Sequence, residues 1–280
     1  MAYLRKALEI KKIGHSGTLD PLATGVLIVG INNATRLFEY LPSDKEYIAD
    51  IVFGIRTNTD DISGEIIKKE NHIPSLQEIE KTIKQFVGKI KQKPPIFSAI
   101  NIKGERAYSL ARKNEISLDN IKEKIIEIYS MEIISFNKNQ DDFHVLRIKV
   151  HCSSGTYIRS IARDLGNILN SAATLYALTR TAIGEKFKIK ESLDLKDLSQ
   201  ENFLNHLTLP QDAVSLDKLY FTENQINDIK QGKKIKIGEV GGLNINKEVQ
   251  ILDRNDKVVG IVFVDQDYHV LPKKILVTNG

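Results

Sequence analysis

Cysteine is nearly absent. Cys152 is the only one in 280 residues, which excludes an internal disulfide framework and any cysteine-based zinc site. No apolar run approaches the roughly 18 residues that a membrane-spanning helix requires. The opening residues, MAYLRKALEIKK, lack the apolar stretch and small-residue cleavage site of a secretion signal. These absences lead us to expect a cytoplasmic protein. Internal repeats and low-complexity segments are also missing. What remains, 41% hydrophobic and 27% charged residues, is the balance of a folded globular chain rather than a disordered one. The length accommodates one large domain, or a large domain and a small one.

The net charge of +4 says less than its distribution. Between Lys81 and Lys113 stand Lys81, Lys84, Lys89, Lys91, Lys93, Lys103, Arg106, Arg112 and Lys113, opposed only by Glu105. A run this one-sided is usually a solvated face. It is also what a phosphate-tracking surface needs, because cations held near a polyanion gain by releasing its condensed counterions.

Hydrophobic periodicity predicts mixed strands and helices without strict strand–helix alternation. That pattern points to an α+β fold on a mixed or antiparallel sheet. Asn33 before ATRLFEYL reads as the N-cap of a short helix with Leu37, Phe38 and Leu41 on one side. KEYIADIVFG (45–54) has the β-branched and aromatic content of a buried strand. Ser75 and Glu78 form a capping box ahead of Leu76, Ile79, Ile83, Phe86 and Val87 at helical spacing, ending at Gly88. Two strands, about 123–136 and 143–151, flank a polar turn. SSGTYIRSIARDLGNIL then reads as a capped helix turning Tyr157, Ile158, Ile161, Leu165 and Ile168 to the core. A boundary near Leu209–Ser215 divides a domain over 1–210 from a small β-rich module over 216–280. The module opens with a second capping box, Thr222 and Gln225, over a helix ending at Gly232. The strands Val249–Leu252 and Val258–Val264 follow.

The segment GHSGTLDPLATG (14–25) surrounds one carboxylate, Asp20, with three glycines and a proline, so its backbone is a shaped loop. From these residues alone, Asp20 reads more readily as the start of an Asp-Pro turn than as a reactive group. The wider pattern is more specific. GHSGTLDPLATGVL resembles the catalytic loop of the tRNA pseudouridine synthase B (TruB) family. DKEYIADIVFG resembles that family's tyrosine motif and RTNTDDISGEI its acidic turn. KPPIFSAINIKGERAYSLAR resembles its central signature, CSSGTYIRSIARDLG its arginine motif and LYALTR its pocket segment. The motifs follow in family order over about residues 10–190, and the tail from about 216 resembles a PUA-type RNA-binding module.

The resemblance implies isomerisation of a uridine in the T-loop of tRNA to pseudouridine, by a monomer without metal or organic cofactor. Asp20 falls at the position of the catalytic aspartate, Arg159 at that of the arginine paired with it, and Tyr47 at that of the active-site tyrosine. His15 falls where the family fills the space left by a flipped nucleotide; no second His or Cys stands at metal-ligand spacing to it. Tyr157, Leu178 and Arg180 are expected at the substrate. Asp61 is expected there too, as an ionic partner of one arginine. Lys91, Lys93, Lys103 and Arg106 fall where the family closes on the T-arm backbone.

Two departures from the pattern stand out. Thr179 occupies the place of the first of two arginines. The family also carries a first strand and a Lys-Pro motif ahead of the loop, which residues 1–13 do not supply, so either the start is assigned late or an active-site support is expected to be missing. Two other functions fit parts of the same pattern: an RNA-folding helper without catalysis, and a guide-RNA-dependent pseudouridine synthase.

Overall fold

The structure is a computed structural model and describes residues 1–102, 104–113, 115–240 and 242–276. It forms two compact units, one of Leu19–Val26 and Ser43–Lys190, the other of Met1–Thr18, Leu27–Pro42 and Glu191–Gly280. This is not the expected division into consecutive blocks 1–210 and 216–280. Residues 27–42 belong with the C-terminal module because Leu37, Tyr40 and Leu41 pack with Val214, Leu252, Val258, Ile261 and Leu276. No helix among the described residues is long and apolar enough to cross a membrane.

The first unit is built on a seven-stranded sheet. Lys45–Phe53 is its central strand, antiparallel to Ala173–Ile183 on one side and to His144–Cys152 on the other. Beyond His144–Cys152 lie Lys124–Lys138 and then Gly88–Gln92; beyond Ala173–Ile183 lies Phe187–Lys188. Ala23–Gly25 adds a short parallel strand against Leu178–Arg180. The central strand alternates as a sheet residue must. Tyr47, Ala49, Ile51 and Phe53 enter the apolar core with Ile158, Ile161 and Leu165 of the helix Ile158–Ile168. The other face carries ion pairs to the neighbouring strand, Asp50 with Arg147 at 2.7 Å and Glu46 with Lys149 at 2.8 Å, and just before the strand Asp44 hydrogen-bonds His151 at 2.8 Å.

The capping box of Ser75 and Glu78 closes the helix Leu76–Ile83, which continues as a 3₁₀ turn to Phe86. Ile79, Ile83 and Phe86 are buried, but Leu76 and Val87, which share their helical spacing, are exposed at the two ends where the apolar face has turned away. Ile168 is likewise exposed, in the last turn of its helix. That helix has no side-chain cap of its own. Instead the Gln92 amide of the edge strand accepts from the Tyr157 N–H (2.8 Å) and donates to its carbonyl (3.1 Å).

In the second unit a five-stranded sheet runs in the order Lys218–Tyr220, Lys247–Leu252, Val258–Val264, His269–Ile275, Ile235–Lys236. The helix Glu223–Lys230, with its Thr222–Gln225 capping box, packs Ile226 and Ile229 on this sheet, giving a PUA-like module. Residues Asn32–Tyr40 form a 3₁₀ helix rather than an α-helix, and Asn33 is not its cap. The Asn33 amide instead donates to the Leu276 carbonyl at 2.6 Å and accepts from Lys12. A side chain committed to those partners is withdrawn from the helix end.

Gly166 marks the closest approach of helix to sheet. A Cβ there would lie 2.7 Å from the Ala173 nitrogen and 2.8 Å from the Ser171 carbonyl oxygen. Gly166→Ala would gain about 1 kcal/mol of helix propensity but must push the helix off the strand, and overpacking costs about 1–3 kcal/mol. The steric effect outweighs the gain, so urea unfolding should show a net loss of up to about 2 kcal/mol; a stabilised variant would mean that the helix rides free of the sheet.

Candidate active site

Asp20 sits in a turn closed by the Ala23 N–H donating to the Asp20 carbonyl at 2.9 Å. The turn role and the side-chain role therefore coexist, since the turn uses only the backbone. The Asp20 carboxylate faces the N-terminal turn of the helix Ile158–Ile168. There Arg159 Nε donates to one carboxylate oxygen at 2.9 Å and Nη2 to the other at 3.0 Å. This two-point pairing fixes the plane of the carboxylate as well as its charge. Arg159 is only 5% exposed, whereas about a third of the Asp20 side chain remains accessible. The arginine is the buried anchor and the aspartate the presented group.

A guanidinium so deeply buried needs acceptors for its other N–H groups. Arg159 Nη1 donates to the Thr59 carbonyl and Nη2 to the Phe97 carbonyl, each at 3.1 Å. The Asp61 carboxylate lies 3.6 Å from Nη1. Asp61 is itself oriented by the Thr59 hydroxyl (2.9 Å), the Ser63 N–H (3.0 Å) and the Ser63 hydroxyl. Tyr47, on the core face of the central strand, pairs in register with Arg180, whose charge acts on its phenol. Burial pushes the Tyr47 phenol above its usual range, with Arg180 opposing, so it stands protonated at neutral pH. Burial acts in the same direction on Tyr157. Both feel the Asp20 charge, which raises them further. The arrangement offers one accessible, oriented carboxylate beside neutral phenols.

The loop is fastened to the sheet at its far end. Arg180, 1% exposed, donates from Nε to the Val26 carbonyl at 2.7 Å, and its own carbonyl accepts from the Val26 N–H at 2.9 Å. Thr179 bonds hydroxyl to hydroxyl with Thr24 at 3.0 Å, so the residue that departs from the family pattern ties the loop to the strand.

Comparison with known proteins follows this geometry. Residues 5–158 match the family model described as TruB family pseudouridylate synthase (N terminal domain). The chain belongs to the TruB family. It is 46% identical over 202 residues to the tRNA pseudouridine synthase B of a Nostoc species, covering 72% of this chain and 67% of that protein. Against the tRNA pseudouridine synthase B of Prochlorococcus marinus subsp. pastoris it is 40% identical over 284 residues, covering 98% and 91%. Against that of Borreliella burgdorferi the figures are 36% over 260 residues, 92% and 87%. Among solved structures, a Cbf5–Nop10–Gar1 complex contains a chain of the same fold. Its TM-score is 0.69 at 22% identity, over 99% of this chain and 80% of that one.

The remaining residues singled out in the TruB-like pattern are distributed unevenly. Leu178 is buried beside Ala23 and Ala49. His15 lies in the other unit, on the strand Ile13–His15 opposite Val29, and its buried Nδ1 has no hydrogen-bond partner among the described residues. Lys91 is exposed on the edge strand Gly88–Gln92. Lys93 is partly withdrawn, with its ammonium 4.0 Å from Asp119, and Arg106 donates to the Ala99 carbonyl. Lys103 lies outside the described residues. The group with metal-ligand composition, Asp265, Asp267 and His269, is a turn in the second unit. There the Asp265 carboxylate already accepts from the Asp267 and His269 N–H groups.

Sequence reasoning missed the Thr59 and Phe97 carbonyls, because backbone acceptors carry no residue signature. It also missed Arg163, although an arginine four residues after Arg159 had to share its helical face. Gly25 was read only as a loop glycine. With φ near +101° and a would-be Cβ 2.2 Å from the Arg180 carbonyl oxygen, only glycine fits. Gly25→Ala is expected to cost at least the roughly 1–3 kcal/mol of backbone strain, and to displace the loop carrying Asp20. Thermal melting and single-turnover assays should both fall; a variant with wild-type turnover would show that the Gly25–Arg180 approach does not position the loop.

Proposed function

We propose that this chain converts a uridine in the T-loop of tRNA into pseudouridine in the cytoplasm, with Asp20 as the catalytic carboxylate. The observation that carries the reading is the accessible Asp20 carboxylate held at two points by a buried Arg159. The reaction breaks the C1′–N1 bond, turns the uracil and joins C1′ to C5, after which the C5 proton passes to nitrogen or solvent. Nothing is added or lost, so no second acid is needed to protonate a departing group, and Asp20 is the accessible carboxylate of the cluster. An anionic carboxylate can attack as a nucleophile or stabilise cationic character at C1′. Arg159 sets a cation against both Asp20 oxygens and so holds the carboxylate plane in place. The neutral Tyr47 offers a ring for the uracil to stack on and a hydroxyl beside the reacting base. Leu178, Tyr157 and Arg180 line the same unit, and the exposed Lys91 supplies charge for the RNA backbone. The relatives named tRNA pseudouridine synthase B support tRNA as the substrate. The Cbf5 likeness, at 22% identity, speaks to the fold alone.

The test is to incubate the purified chain, without partners, with a tRNA transcript and map pseudouridine by sequencing. Modification confined to one T-loop uridine is expected; none, or modification that needs an added guide RNA, would overturn the assignment. Asp20→Asn should abolish turnover while tRNA affinity stays within about tenfold, or 1.4 kcal/mol. Easily measured turnover by this variant would remove Asp20 from the chemistry.

Arg159→Lys keeps the charge but loses the planar fork that holds both carboxylate oxygens. Turnover is expected to fall by about two orders of magnitude, the effect of a small misplacement of a catalytic group. Binding should fall much less, and near-normal kcat would make the two-point pairing incidental.

A further inference from the structure

Below Arg159 on the same helical face lies a second buried arginine, Arg163, only 2% exposed. Its Nη1 donates to Asp60 at 3.0 Å, its Nε to Asp164 at 2.8 Å and its Nη2 to the Lys93 carbonyl at 2.7 Å. The Ser160 hydroxyl donates to the same Lys93 carbonyl at 2.9 Å. None of these groups touches Asp20. Yet each of the two segments that Arg163 grips carries an acceptor of Arg159. Asp60 stands between Thr59, whose carbonyl accepts from Arg159, and Asp61, whose carboxylate lies 3.6 Å from it. Lys93 begins the run of residues 93–97 that ends in Phe97, the other carbonyl acceptor.

Asp60 adds a constraint of its own. Its φ of +60° is left-handed, a conformation that Asp tolerates better than most residues with a Cβ but that contacts must still hold in place. The hold comes from Arg163 on the side chain at 3.0 Å, with Arg56 farther off at 3.8 Å, and from the Leu175 N–H, which donates to the Asp60 carbonyl at 3.1 Å. Relaxing Asp60 would rotate the Thr59 carbonyl and the Asp61 carboxylate away together. Fold stability alone is a poor reason for this cluster, since buried ion pairs are commonly replaced by apolar groups with no loss, or with a gain.

We propose that Arg163 is a positioning residue for the reaction: by clamping Asp60 and the Lys93 carbonyl it places the acceptors that orient Arg159, and through Arg159 it sets the plane of the Asp20 carboxylate. The proposal rests on the catalytic reading of Asp20. Burial pushes Asp60 and Asp164 upward, with Arg163 opposing in both, so removing Arg163 would favour protonated, released carboxyls.

The test compares Arg163→Lys and the double variant Arg163→Met/Asp60→Asn with the wild-type chain, on a tRNA transcript. We expect kcat to drop by about 10- to 100-fold, with KM and tRNA affinity within about threefold, while the double variant, which leaves Asp60 uncharged, melts close to wild type. A purely structural role would move the melting temperature without this kcat-only loss, and folded variants with kcat within about twofold of wild type would overturn the proposal. If the Arg163 variants do not fold, Ser160→Ala removes one donor from the Lys93 carbonyl without changing any charge, and an unaltered kcat there would count against it equally. A crystal structure of the double variant, or of Ser160→Ala where the double variant does not fold, reads the positioning without turnover. The Arg159–Asp20 pair should lose its two-point geometry, and its retention would refute the inference even if the wild-type chain made no pseudouridine, an outcome that would refute the catalytic reading separately.

Discussion

A guanidinium removed from water must find an acceptor for its N–H groups or forfeit several kcal/mol, and Arg159 meets that requirement by drawing four parts of the chain together. The helix carries the planar group, and the loop of Asp20, the turn at Thr59–Asp61 and the segment ending at Phe97 supply its oxygens. Two of those oxygens belong to a carboxylate that remains open to solvent. The arginine thus converts the need to satisfy a buried cation into the orientation of an accessible anion. Its acceptors come from segments far apart in the chain, so the ion pair can form only when the first unit has folded.

The sheet makes that convergence possible. Its central strand buries Tyr47, Ala49, Ile51 and Phe53 against the arginine helix, which fixes how high the helix sits over the strands. At Gly166 the helix backbone comes within contact of Ser171 and Ala173, leaving no room for a side chain. At Gly25 the loop backbone meets the Arg180 carbonyl in the same way. Both glycines act by omission: the absence of a Cβ lets two backbones approach, and the Asp20 loop and the arginine helix are each brought onto the strand Ala173–Ile183.

Much of this was legible in the residues. The alternation in KEYIADIVFG, the capping boxes at Ser75 and Thr222 and the hairpin around 137–142 follow from local chemistry, which acts over a few residues and needs no tertiary context. The motif around Asp20 was readable as a shaped loop, and its order with the later motifs as a family pattern. Apolar periodicity was less reliable at helix ends, where Leu76, Val87 and Ile168 are exposed because the helix face rotates away from the sheet. It was silent about Arg163, since a charged residue at a core-facing position looks like a solvated one until its acceptors are known.

The sequence by itself determined the elements, the reactive residue types and the family, because each rests on neighbours within a turn or a strand, or on motifs read in order. Tertiary structure alone decided that Arg159 and Arg163 face inward, that Gly25 must be glycine, and that residues 27–42 belong with the C-terminal module. Each of those outcomes depends on backbone carbonyls and apolar surfaces contributed from distant positions. A carbonyl is the same in every residue, so only its placement in space can tell which arginine it will hold.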